Sequence, residues 1–348
     1  MELHRSENAA MARELLGRVV RHRTHERSRT VKRFTLVLCV FFVFGLSLGF
    51  AGGAKEAKTL EVAVSLPGSV EFFSVERKGM DKAAAEFGLK LTYSDAEWDA
   101  GKQLSQVENF AAKKVALILL CAADNQALLP AVKVCKDAKI PLITFTNVVG
   151  PNPDGILDGV ISYIGTNEIT IGRLIGQMAE KALGSKPANI VLIEGTPGTP
   201  PQRMRTQGFK EIVEKHANWK IVYSQAIPGW TKEGALAAVE AFLQSDQRVD
   251  LVACQWWAAG PAAAQALKEK GYNKNKVVIT GYEFSKELVP LIKAGTVDMT
   301  ANYGIADTGY KAVQAAARYL KGEKIPAFIE VVPYIVDKDN VDSVVPEM

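Results

Sequence analysis

The side chains able to do covalent chemistry are few and badly placed for it. Three of the four histidines precede residue 31, and His216 stands alone on a predicted helix. Cys121, Cys135 and Cys254 each sit in an apolar strand or helix context, which marks buried free thiols; a Cys121–Cys135 disulfide is the alternative. No spacing of Cys and His suits a metal, and no nucleophile–base pair is visible. The glycine-rich pieces form neither GxGxxG nor a phosphate loop after a strand, so neither enzyme activity nor a cofactor is expected. What remains is non-covalent chemistry. Phe72 and Phe73 are adjacent aromatics that the local core pattern does not need. They are either core residues of a helix start or the wall of a pocket. Ligands of open α/β sheets bind at the carboxyl ends of strands, yet spacing alone favours core for one of the two.

The elements that must position them follow a regular pattern. Leu60–Ser65 is a short Val-containing run of the kind found in buried parallel strands, and Pro67-Gly68 ends it. Ser74 is placed to cap a helix that runs to Phe87 and stops at Gly88. Further strands are predicted at 89–93, 116–120, 140–145 and 160–164, with helices capped by Asp99 and Asp124 between them. Pro-, Gly- and Asn-rich turn chemistry interrupts the pattern at 149–155. Thr166 or Asn167 caps a long helix, and the alternation then repeats from Asn189 to Lys321 before an extended segment at 328–336. Strands alternating with helices predict parallel sheets covered on both faces. The fold class is α/β, with two doubly wound domains, each long enough for its own core and with a cleft between them.

The amino terminus differs from the body. Lys32 and Arg33 precede an almost wholly apolar run from Phe34 to Phe50, and Gly52-Gly53-Ala54 follows. This is the layout of a Sec signal peptide over 31–54. The run is short for a bilayer core of about 30 Å. Cys39 lies inside it without the small residue that a lipoprotein signal places before its cysteine. Residues 1–30 fit poorly in front of a signal, and translation from Val31 would leave them unmade. Residues 1–54 carry nine Lys and Arg against four Asp and Glu, which leaves 33 against 34 in the remainder. The net charge of +4 therefore belongs to the amino terminus, and the near-neutral body offers no nucleic-acid surface.

Several short motifs occur in a telling order: Val64-Ser65, Phe72-Phe73, Gly79-Met80, Ala83-Ala84, the run Ala138 to Thr144, Gly198-Thr199, Arg203, Gly208-Phe209 and Gly322-Glu323-Lys324. Together they resemble the ribose-binding-protein family, the type I periplasmic substrate-binding proteins of sugar ABC transporters. The resemblance runs from about Leu60 to the end of the chain. It implies lobes made of 59–165 with 304–330 and of 166–303 with 331–348, joined by three strands that cross near Gly165, Tyr303-Gly304 and Val331-Val332. It also implies a monomer that closes on its ligand by a hinge motion, and an ABC permease as partner.

Sugar sites in this family set aromatic faces against the C–H faces of the ring and planar polar groups on its hydroxyls. The resemblance assigns Phe72 and Phe73 to the family's paired aromatics, with Glu71 as a departure beside them. Thr146-Asn147 stands where sugar binders usually have Asp-Arg, so the charged grip of a ribose site is gone. Arg203 matches the cleft arginine at the start of a helix, and Arg205 is expected to face solvent. Trp230 stands where an aromatic stacker is expected, and Gln255 keeps an amide for hydroxyls. One of Trp256 and Trp257 lines the pocket, with Trp256 chosen; Glu283 replaces the usual aspartate, and Tyr303 stands near the last ligand position with Asn302 as competitor. Trp98 is expected to pack at a domain edge.

These residues imply a small neutral ligand with an apolar face: a monosaccharide, a deoxy sugar, a cyclic polyol or a furanone-type signal. A cation in an aromatic cage is the lesser reading. Delivery to a permease and sensing for a chemoreceptor or sensor kinase both fit this fold. A transcriptional regulator of the lac-repressor type is disfavoured by the export signal and by the lack of a helix-turn-helix pattern.

Overall fold

The computed structural model describes residues 59–348. The expected signal at 31–54 and the extension at 1–30 lie outside the described residues. Two six-stranded sheets carry the fold. The first has the order β11-β5-β4-β3-β1-β2, with β1 Glu61–Leu66, β2 Lys90–Asp95, β3 Leu117–Leu120, β4 Leu142–Phe145, β5 Ser162–Gly165 and β11 Phe328–Glu330. All of its neighbours run parallel. The second has the order β12-β10-β9-β8-β6-β7, with β6 Ala188–Glu194, β7 Trp219–Ala226, β8 Leu251–Cys254, β9 Val278–Thr280, β10 Met299–Asn302 and β12 Tyr334–Asp337. It is parallel apart from β12, which pairs antiparallel with β10 after the chain has passed through the helix Ile305–Leu320 and β11 of the first lobe. The central strands are buried along their whole length, as in β3 and β8, because helices cover both faces.

The chain passes from the first sheet to the second after Gly165, back between Asn302 and Ile305, and across again between Glu330 and Tyr334. The three passages lie side by side. Val331 N–H donates to Gly165 O at 2.8 Å, and the Thr166 hydroxyl donates to Val331 O. Glu347, tied to the second lobe through its own N–H to Phe284 O, accepts from Gly304 N and Ile305 N at 3.0 and 2.9 Å.

The two lobes use the same helix-packing device. Helix α1 (Glu71–Phe87) lies on α9 (Ile305–Leu320), and α4 (Glu168–Leu183) lies on α5 (Pro200–Val213). A Cβ on Gly79 would come within 1.9 Å of Ala306 O, and one on Gly309 within 2.1 Å of Glu76 O. On the other pair, a Cβ on Gly172 would meet Arg205 O at 2.1 Å, and one on Gly208 would meet Ile169 O at 2.0 Å. Each helix therefore brings its backbone against its partner through a glycine. The remaining helices are α2 (Ala100–Ala112), α3 (Leu129–Ala138), α6 (Lys232–Leu243), α7 (Ala259–Glu269) and α8 (Leu288–Lys293).

Two local expectations are corrected. Ser74 does not cap α1, because its N–H already bonds Val70 O at 3.3 Å; the helix begins at Glu71, and Phe72 and Phe73 stand in its first turn. Asp124 holds the N–H groups of Gln126 and Ala127, but α3 starts only at Leu129. Asp99 and Asn167 cap α2 and α4. Cys121, Cys135 and Cys254 are free and buried.

Ala has a better helix propensity than Gly by about 1 kcal/mol, yet Gly208→Ala is expected to destabilise the protein by about 1–3 kcal/mol, the range for overpacking. Urea unfolding measures it, and an unchanged midpoint would show that α4 and α5 separate without cost.

Candidate functional site

The carboxyl ends of both sheets face one cavity of about 360 Å³. The loop after β1 and the start of α1 supply Ser69, Glu71, Phe72 and Phe73; the loops after β2 and β4 supply Trp98, Thr146 and Asn147. From the second lobe come Pro201 and Arg205 on α5, Trp230 after β7, Trp256 and Trp257 after β8, and Glu283 after β9. Rings dominate these walls. Phe72 meets Phe73 edge-on at 5.3 Å, Trp98 lies 6.2 Å from Phe73, and Trp230 meets Trp256 edge-on at 5.5 Å. Gly195 makes room for Trp230, since a Cβ there would lie 1.8 Å from the indole. The buried Trp256 Nε1 has no protein partner, which leaves a donor free.

Polar groups are placed one by one among the rings. Asn147 donates from Nδ2 to Ala122 O at 2.7 Å, which fixes its amide. Thr146, at φ +56°, donates its hydroxyl to the buried Glu76 carboxyl. Arg205 is 4% exposed and lies over the ring of Tyr282, its guanidinium carbon 4.4 Å from the centroid. It donates from Nε to Glu168 Oε2 at 2.7 Å and from Nη1 to Gln255 O at 2.6 Å. Burial opposes its charge, but the Glu168 carboxylate more than offsets this and holds Arg205 protonated. Burial pushes Glu283 up to about 8 against the pull of Arg205, and Glu76 up to about 8 against the pull of the Thr146 hydroxyl.

The cavity brings together Phe72, Phe73, Thr146, Asn147, Trp230, Trp256 and Glu283. Three other sequence candidates lie outside its lining. Arg203 turns away and bonds Asp124 and Asn125 of the first lobe, because it is out of phase with the buried face of α5. Gln255 sits behind the wall with its amide spent on Gly195 N at 2.9 Å and the Thr206 hydroxyl at 2.8 Å. Tyr303 is buried beneath Phe72, with ring centroids 5.7 Å apart.

Sequence reasoning placed Arg205 in solvent and Trp98 at a domain edge, whereas both line the cavity. The signal for Arg205 was helical phase. Residues 205, 208, 209 and 212 fall at i, i+3, i+4 and i+7, and all four are buried on one face. Trp98 carries no comparable signal; its φ of +64° and its seat over Gly68 are set by the loop after β2. Both Trp256 and Trp257 reach the cavity, as does Glu71.

Paired sheets of one strand plan, three adjacent crossings and a shared cavity at the strand ends define a two-lobed α/β binding protein. The chain belongs to the periplasmic binding protein domain family, whose model matches residues 62–324. It is 29% identical over 287 residues to the ribose import binding protein RbsB of Haemophilus influenzae, covering 82% of this chain and 94% of that one. It is 27% identical to the galactofuranose-binding protein YtfQ of Escherichia coli, covering 78% and 85%. Among solved structures, an ABC transporter solute binding protein from Bacillus halodurans with bound myo-inositol superposes with a TM-score of 0.74 at 26% identity, covering 82% of this chain and 96% of that one. These relatives are solute-binding proteins.

Two expectations follow. Arg205→Met leaves Glu168 buried without its partner and is expected to cost about 3–5 kcal/mol in urea unfolding, whereas Arg203→Ala, at a half-exposed position, leaves the midpoint nearly unchanged. Glu76 and Glu283 keep their protons in the native state up to about pH 8, while an unfolded glutamate releases its proton near pH 4.5. Below both values the two states bind equal protons. Between them the unfolded state binds fewer, so stability declines as pH rises from about 5 to 8. Glu76→Gln should flatten this decline, and an unaltered slope would contradict the buried neutral carboxyl.

Proposed function

We propose that the protein is an extracytoplasmic solute receptor that captures a small neutral monosaccharide or polyol between its lobes and delivers it to an ABC permease. The observation that carries this reading is the cavity itself. Its volume of about 360 Å³ suits one small molecule, and six rings wall it: Phe72, Phe73, Trp98, Trp230, Trp256 and Trp257. Rings of this kind cover the C–H faces of a sugar, and they do so only once both lobes have closed. Asn147, Arg205, Trp256 Nε1 and Glu283 then meet hydroxyls. A Glu283 carboxyl that keeps its proton both donates and accepts, as a hydroxyl requires.

The names of the relatives support this ligand class, since they cover ribose, galactofuranose and bound myo-inositol. The Sec signal expected at 31–54 supplies the route to the periplasm, and its removal leaves the near-neutral body. Binding starts in the open form on one lobe. Bending at Gly165-Thr166, Gly304 and Val331 then brings the other lobe over the ligand, and the closed shape is what a permease reads.

A thermal-shift screen against pentoses, hexoses, deoxy sugars and cyclitols tests the reading. At least one should raise the transition temperature in a concentration-dependent way. Trp230→Ala should lower affinity for that compound by about tenfold or more, as for a large ring at the centre of a contact. Silence across all carbohydrates would sink the proposal.

A further inference from the structure

We infer that Arg203 is a latch that holds the two lobes closed, a positioning residue for capture that does not touch the ligand. This rests on the reading of the cavity as the ligand site. Thr199 caps α5, and Pro200-Pro201 fix the backbone of its first turn. Two residues on a helix are separated by about 200°, so Arg205 faces the cavity while Arg203 faces the opposite lobe.

There Arg203 donates from Nη2 to Asp124 Oδ2 at 2.8 Å and from Nη1 to Asn125 Oδ1 at 3.2 Å. Both acceptors are held by their own lobe. Asp124 Oδ1 already accepts from Gln126 N and Ala127 N at 2.8 Å each. Asn125 donates from Nδ2 to Gly150 O at 2.8 Å, and its own carbonyl accepts from Gly150 N at 2.6 Å. Gly198 lets the loops meet, for even a Cβ there would lie 3.3 Å from Asp124 Oδ2.

Among the described residues this is the one ion pair that joins the lobe of the first sheet to that of the second. It joins the loop after β3 to the helix that follows β6. It forms only when the lobes approach, so its free energy goes wholly to the closed form. Because the pair is part-exposed, its contribution is modest and falls with salt.

The test is the distance distribution between spin labels at Asp137→Cys on α3 and Lys210→Cys on α5, read by pulsed electron resonance on the protein without added ligand. Arg203→Gln and Asp124→Asn should each raise the open-to-closed ratio about two- to five-fold. Asparagine keeps the oxygen that accepts from Gln126 and Ala127, so the second variant removes charge without removing the turn. The double variant should open no further than either single one, and the effect should shrink in high salt. Unchanged distributions, or additive shifts in the double variant, would overturn the latch. The readout needs no ligand, so a failed carbohydrate screen and a failed latch remain distinguishable. Unfolding midpoints within the wild-type range exclude a merely structural effect.

Discussion

The site depends on the buried pairing of Arg205 with Glu168. A guanidinium is tolerated at 4% exposure because a carboxylate, a backbone carbonyl and the face of Tyr282 surround it. That arrangement requires α4 and α5 to lie almost backbone to backbone, which Gly172 and Gly208 permit. The pair ties the cavity floor to the helix packing of the second lobe. Buried ion pairs of this kind contribute little net stability against an apolar substitute, yet they are costly to break. Their effect here is to fix one orientation of a planar group that can meet two hydroxyls at once.

The same economy governs the rest of the molecule. Each lobe repeats one plan: strand order 2-1-3-4-5 or its counterpart 7-6-8-9-10, and a glycine-mediated helix pair beside the sheet. Neither lobe encloses the cavity alone. The aromatic walls come from the strand ends of both, and the lobes are linked by three crossings that share hydrogen bonds at Gly165, Thr166 and Val331. Under the proposed hinge motion, opening would change few contacts at the crossings and many at the cavity, so a ligand filling the cavity would bias the equilibrium.

Most of the architecture was legible in the sequence, because alternating buried strands and amphipathic helices leave a strong periodic record. The antiparallel edge strand β12 was not, since a short extended segment carries no sign of direction. At the site, Phe72, Trp230, Trp256 and Glu283 were assigned through the family resemblance, and all four stand beyond strand ends on the cavity wall. Between Arg203 and Arg205, the family match and charge logic at a helix start pointed to Arg203. The phase of the apolar face, read through Gly208 and Phe209, distinguishes them. Gln255 and Tyr303 stand one layer behind the wall, a depth that sequence position does not encode.

Four of the five tryptophans, Trp98, Trp230, Trp256 and Trp257, line the cavity, while Trp219 is buried elsewhere with its indole bonded to Lys186 O. Intrinsic tryptophan emission, followed while a stabilising sugar is titrated in and acrylamide is present as quencher, therefore reports directly on whether ligand sits between the lobes. Capture there predicts a saturable spectral shift and protection from quenching, both with the same midpoint as the thermal stabilisation. Stabilisation by a sugar that leaves emission and quenching unaltered would place its site elsewhere and contradict the cleft.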